Sequence, residues 1–131
     1  MAFALALMLS ACIPRRSFEM RVELREGEAA TVFATSEDIA TRMNCRFREG
    51  EPRWQEWPKG KGAVCHAMAL TETDLVFFLE SSGRRARVSV EWREPRGDVP
   101  ADVQNYARDV QSVVEGYFDR SRIDIKTTFW P

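Results

Sequence analysis

Hydrophobic and polar residues alternate along several stretches of the chain, and this period of two predicts β-strands. The first stretch covers residues 18–24, where every second side chain is apolar. Three similar runs follow at 63–70, 75–79 and 85–93, and a last one lies at 123–129. The gaps between the middle three are short enough for hairpin turns, so we expect these strands to be antiparallel neighbours.

Two other stretches show the spacing of three or four that is typical of amphipathic helices. The longer helix is predicted to begin near Asp98 and Pro100. Its apolar stripe consists of Val99, Val103, Tyr106, Val110, Val113 and Tyr117. A shorter helix is predicted from Ser36, as N-cap, to Met43, after a short strand at 31–34. Residues 48–62, which glycine and proline interrupt repeatedly, are predicted to form a loop.

The order of these elements predicts an α+β fold. In this two-layer sandwich, one face of an antiparallel sheet is covered by one long C-terminal helix and one short helix. The apolar stripe of the long helix would then pack on the sheet. The alternative is an all-β sandwich that carries a single helix. Both folds use the stripe for packing.

The first twelve residues form an apolar run that ends in small residues and a cysteine. Such a run is shorter than the ~20 residues of a membrane-spanning helix but has the length of a signal-peptide core. Leu9-Ser10-Ala11-Cys12 resembles the lipobox of bacterial lipoproteins. The resemblance implies that residues 1–11 are a cleaved signal peptide and that Cys12 carries the lipid. Residues 12–17 would then be a tether, and residues 18–131 a single domain.

The same resemblance implies a location in the bacterial cell envelope, with the lipid anchor as the membrane contact. Ile13 would occupy the second position of the mature chain. It is not the aspartate that is associated with retention in the inner membrane in enteric bacteria. We therefore expect the protein on the periplasmic face of the outer membrane.

With Cys12 assigned to the lipid, Cys45 and Cys65 remain as one pair. Outside the cytoplasm such a pair is expected to form a disulfide. The alternatives are two free buried thiols, or a metal site that uses the adjacent His66. Neighbouring residues of a strand point to opposite faces, so Cys65 and His66 would not converge on one metal ion.

Composition excludes few functions, but it argues against nucleic-acid binding, because the formal net charge is only -1. No motif for a nucleophile, a metal or a cofactor is present, and Gly60-Lys61-Gly62 lacks the spacing of a phosphate-binding loop. We therefore predict no cofactor and no metal. The one histidine, His66, is expected to be a strand residue with an ordinary hydrogen bond.

The most suggestive surface segment lies in the predicted loop, where two tryptophans have an arginine and a lysine nearby. The candidate binding residues are Arg53, Trp54, Trp57 and Lys59. The alternative is that both indoles fold back as a lid on the core. We expect a non-catalytic binding or scaffolding module for an envelope protein or glycan. The second hypothesis is a periplasmic hydrolase that acts on cell-wall or other envelope substrates.

Overall fold

The structure, a computed structural model, describes residues 15–48, 53–93 and 99–127. Within these ranges seven strands form one antiparallel sheet, and two α-helices pack on one of its faces. This is the α+β sandwich that the sequence predicts, and the longer helix is the C-terminal one. Residues 9–12, which carry the lipobox resemblance, lie outside the described residues.

The strand order across the sheet is β2-β4-β5-β6-β1-β7, and β3 pairs with β4. The strands are β1 (Arg15–Glu23), β2 (Cys45–Phe47), β3 (Gln55–Trp57), β4 (Gly60–Ala67), β5 (Thr73–Glu80), β6 (Arg85–Arg93) and β7 (Ile123–Thr127). The helices are α1 (Val32–Arg42) and α2 (Ala101–Tyr117), and short 3₁₀ helices cover Glu28–Thr31 and Arg120–Arg122. The described part of the chain therefore carries a meander, β4-β5-β6, at the centre of the sheet.

The core lies between the helices and one face of the sheet. Its largest buried side chains include Phe18 and Met20 of β1, Phe77 of β5 and Ile39 of α1. The alternation predicted for β1 is confirmed, and the strand begins at Arg15, so that 15–17 are strand residues rather than part of a tether.

The apolar stripe predicted for the long helix is confirmed. Val103 and Val110 are buried against the sheet, and Tyr106 and Tyr117 are partly buried against the same core. The helix begins at Ala101, and Pro100 occupies the N-cap position rather than the first turn. Asp98, the predicted cap, lies outside the described residues.

The strand predicted at 31–34 is wrong, because helix α1 begins at Val32. The reason is the spacing of the buried side chains. Val32, Ser36, Ile39 and Ala40 lie on one side of a helix and are buried. Ser36 is therefore an interior residue of the helix and not its N-cap. The core positions predicted for Ile39 and Met43 are confirmed.

The loop predicted at 48–62 is wrong in part, because β3 and the start of β4 form a hairpin there. Strand β4 ends at Ala67 rather than at residue 70. The prediction for 85–93 is confirmed, and β5 extends the predicted 75–79 at both ends. The last strand is confirmed over 123–127, whereas 128–131 lie outside the described residues.

Candidate functional site

Trp57 lies on the sheet face that the two helices leave uncovered. Its register partner is Gly60, and antiparallel partners direct their side chains to the same face. A side chain on Gly62 would overlap the Trp57 ring, and a Cβ on Gly60 would lie 2.7 Å from Cζ of Phe78. The two glycines thus leave room for the indole to lie flat across β4.

The indole continues into a stacked group of side chains on this face. Trp57 stacks on Phe78, with ring centroids 6.1 Å apart and planes inclined by 23°. The guanidinium of Arg87 lies 4.4 Å from the Phe78 ring centroid, and Arg87 also pairs with Glu19 at 3.3 Å. Phe78 is therefore only 6% exposed although no described helix covers it.

Trp54 lies on the opposite face of the sheet. Its ring meets Phe33 of α1 edge to face, at a centroid distance of 4.7 Å, and it packs against the buried core. Its indole Nε1 is buried and has no hydrogen-bond partner among the described residues. Trp54 is thus a lid on the core, which is the alternative considered for both indoles.

Arg53 contacts α1 and β2, and it lines a small cavity of about 130 Å³ together with Trp57. Its Nη1 donates to Oε1 of Glu37 at 2.8 Å, and its guanidinium lies 5.3 Å from the Phe47 ring centroid. These contacts fasten the segment before β3 to the first helix. The four candidate residues therefore do not form one patch.

Trp57 and Lys59 do meet, at an open cleft of about 640 Å³ at one end of the sheet. The 3₁₀ helix and the start of α1 form one wall, and the β3–β4 hairpin and the turn after β5 form the other. Its apolar lining comes from Ala29, Ala30, Phe33, Trp57 and Leu79. The volume lies in the range of small-molecule sites, about 300–1,000 Å³.

The polar rim of the cleft is built around the two-residue turn that joins β3 to β4. Lys59 has φ 70, in the left-handed region that glycine and asparagine adopt most readily. Its carbonyl accepts a hydrogen bond of 2.9 Å from the backbone N–H of Ser81, so the hairpin is tied to the end of β5. Next to it, Lys61 pairs with Glu56 at 3.7 Å.

The disulfide between Cys45 and Cys65 is present, with Cα atoms 5.5 Å apart. It joins β2 to β4 and closes a span of 20 residues that contains the Trp-bearing segment. Cys65 is buried, whereas the His66 side chain is 51% exposed. Among the described residues, no group of three or more His, Cys, Asp or Glu could hold a metal ion.

A second cavity, of about 590 Å³, surrounds His66. His66 Nδ1 lies 3.2 Å from Oδ1 of Asp74, which confirms the ordinary hydrogen bond predicted for the histidine. Sequence reasoning missed Asp74 as its partner, although a hairpin between β4 and β5 brings the two into register. The cavity lining consists of Arg46, Phe47, Arg48, Val64, His66, Met68 and Asp74, without a hydroxyl or thiol nucleophile.

Glu91 lies beside Asp74 in the same row of the sheet. Partial burial raises the pKa of the Glu91 carboxyl, and nearby Arg15 opposes this effect. Arg15 also pairs with Asp74 at 3.8 Å. This row is an electrostatic network on the uncovered face, at the end of the sheet far from the Trp57 cleft.

The chain matches no model of a known protein family, no curated protein and no solved structure. Over the described ranges, neither helix is long and apolar enough to cross a membrane.

Proposed function

We propose that this protein is a lipoprotein of the bacterial envelope, anchored through Cys12 on the periplasmic face of the outer membrane. Its domain binds an envelope protein or glycan without catalysis, through the cleft that contains Trp57 and Lys59. The resemblance of Leu9-Ser10-Ala11-Cys12 to a lipobox supports the anchor. Apolar walls with an aromatic ring and a cation support binding.

The observation that carries this proposal is the distance between the cleft and Arg15, the first described residue after Cys12. Only Ile13 and Pro14 separate Cys12 from β1, so the chain between Cys12 and Arg15 spans at most about 11 Å. A domain on so short a tether stays close to the membrane surface.

The cleft lies at the far end of β1. Arg15 pairs with Arg93 at one end of this strand, and Glu23 pairs with Arg85 at the other. The cleft residue Leu79 pairs with Ala86, close to the Glu23 end. The nine residues of β1 span about 26 Å, so the cleft opens well away from the anchor and toward the periplasm.

The end of the sheet next to the anchor carries basic residues that suit a membrane surface, besides the acids Asp74 and Glu91. Arg15 and Arg93 are exposed there, and the Met68 side chain at the same end is 47% exposed. Basic residues close to a membrane are attracted to anionic headgroups. This surface supports the orientation in which the cleft faces away from the bilayer.

Co-purification of envelope components with the lipidated protein tests the binding function. Trp57→Ala removes the aromatic wall and should lose the partner, whereas Val64→Ala truncates an exposed apolar side chain outside the cleft and should keep it. Ala30→Trp fills the cleft without removing the contact between Trp57 and Phe78 and should also lose the partner. If both cleft variants fold and retain every partner, the proposal is wrong.

The second hypothesis, a periplasmic hydrolase acting on cell-wall or other envelope substrates, draws support from the His66–Asp74 pair. A carboxylate on Nδ1 orients an imidazole for general base catalysis. Incubation with peptidoglycan and ester substrates, with His66→Ala as the comparison, tests it. Cleavage that is lost in His66→Ala would replace the binding proposal.

A further inference from the structure

The cleft described above presents a continuous apolar surface to a ligand. Phe33 and Leu79 line it on the side of the sheet that the helices cover, and Trp57 lines it from the β3–β4 hairpin. The Trp57 ring stacks on Phe78 and packs directly on Gly62, so its position is fixed before a ligand binds. A rigid aromatic wall reduces the entropy lost on binding.

The charged residues at the rim of the cleft are two acids and two lysines, and among the described residues only Glu56 and Lys61 pair with each other. Four charged residues line it, namely Glu56, Lys59, Lys61 and Glu80. Glu56 and Lys61 neutralise each other across the hairpin. The ammonium of Lys59 has no ion-pair partner within the described ranges, and the side chain is exposed. Lys59 is therefore the cation that a ligand can reach.

The backbone of Lys59 adds a second observation. A lysine at φ 70 is held in a conformation that costs free energy, and asparagine or glycine would adopt it more easily. The hydrogen bond from the N–H of Ser81 to the Lys59 carbonyl fixes this turn beside the cleft. Strain of this kind accumulates where a particular side chain is needed.

We infer that the cleft binds a small apolar molecule with a single negative charge, such as a carboxylate. Its apolar body lies against Phe33 and Leu79, and its acid group pairs with Lys59 at the rim. The Glu80 carboxylate lines the same cleft and disfavours ligands with a higher negative charge. This inference rests on the proposed function, since it names the ligand class of the same site.

Fluorescent probes with one apolar body and different charge test the inference. Anilinonaphthalenesulfonate carries one negative charge, and phenylnaphthylamine carries none. Both are titrated into the full-length chain with Cys12→Ser, which avoids detergent. Any binding of the probes to the apolar residues 1–11 is the same in all variants and cancels when the variants are compared. Decanoate should displace the sulfonate, and decanol should displace it less effectively.

Variants at the rim separate charge from structure. Lys59→Asn should weaken binding of the sulfonate about three- to fivefold, as expected for a partly exposed ion pair. It should leave phenylnaphthylamine binding unchanged and should not lower the melting temperature, because asparagine tolerates the left-handed backbone. Glu80→Gln should strengthen sulfonate binding. Lys126 lies on β7 and outside the cleft lining, so Lys126→Asn should change the binding of neither probe.

Two results would overturn the inference in distinguishable ways. Equal binding of both probes, or sulfonate binding that Lys59→Asn does not change, shows a cleft without preference for anions and leaves the proposed function standing. If a folded Trp57→Ala variant keeps the binding of both probes and also keeps its envelope partners, the cleft is not the binding site and both proposals fail.

Discussion

At the scale of residues, two glycines determine where the Trp57 indole lies. Gly60 and Gly62 break the hydrophobic pattern, as glycines in loops do, and the sequence therefore predicts a loop for this segment. In the structure Gly62 lies under the Trp57 ring, and Gly60 lies against Leu79 and Phe78 of β5. Their lack of a side chain is a packing requirement of the sheet. A tryptophan paired with glycines at alternate positions was the signal in the sequence that could have indicated this hairpin.

The first prediction follows from this close approach. Gly62→Ala places a methyl group where the Trp57 ring lies, so the ring must move and uncover Phe78. We expect a loss of about 1–3 kcal/mol in the free energy of unfolding, typical of overpacking, with a change in tryptophan fluorescence. Urea unfolding measures the change in the free energy of unfolding. Gly116 in α2 has open space around it, so Gly116→Ala should stabilise the folded protein slightly. A Gly62→Ala variant as stable as wild type would contradict this account.

The second prediction concerns Glu91 and pH. Burial raises the pKa of this carboxyl above its ordinary 4.5, so the folded state binds more protons than the unfolded state just above pH 4.5. Stability therefore falls as the pH rises through that window. Glu91→Gln should raise the melting temperature at neutral pH and lose this advantage below pH 4.5. A glutamine variant that melts earlier than wild type at neutral pH would contradict the assignment.

At the scale of elements, periodicity identified the strands and the long helix, because each of these buries one face over many residues. β6 and α2 are the clearest examples, with regular burial at spacings of two and of three to four. Residues 31–34 are too few to show either period, and their conformation depends on Ile39 and Ala40 further along α1. The cleft brings together residues of five elements from three separate parts of the chain, so its composition did not follow from local patterns.

The third prediction concerns the disulfide that ties β2 to the sheet. β2 has three residues and pairs only with β4 among the described strands. Reduction should lower the free energy of unfolding by about 3 kcal/mol for a span of 20 residues. Hydrogen exchange should then accelerate in β2 and β3 before it does in β5. Free thiols in protein isolated from the periplasm without reductant would contradict this prediction.

At the scale of the whole molecule, the proposed lipid attachment at Cys12 precedes one end of β1, and the cleft lies at the other end. The fold accounts for the distance between these two features, and the sequence alone predicts the attachment. If Cys12 carries the lipid, as we propose, the domain can contact the membrane and a periplasmic ligand at the same time.

Incorporation of radiolabelled palmitate, measured together with membrane fractionation, tests this account most directly. The wild-type protein should take up the label and sediment with the outer membrane, since several acyl chains hold a protein firmly. Cys12→Ser should lose both the label and the membrane association, whereas Cys45→Ser should keep both. If the wild-type protein takes up no label, or if Cys12→Ser fractionates with membranes as the wild type does, the protein is not held at the membrane through Cys12.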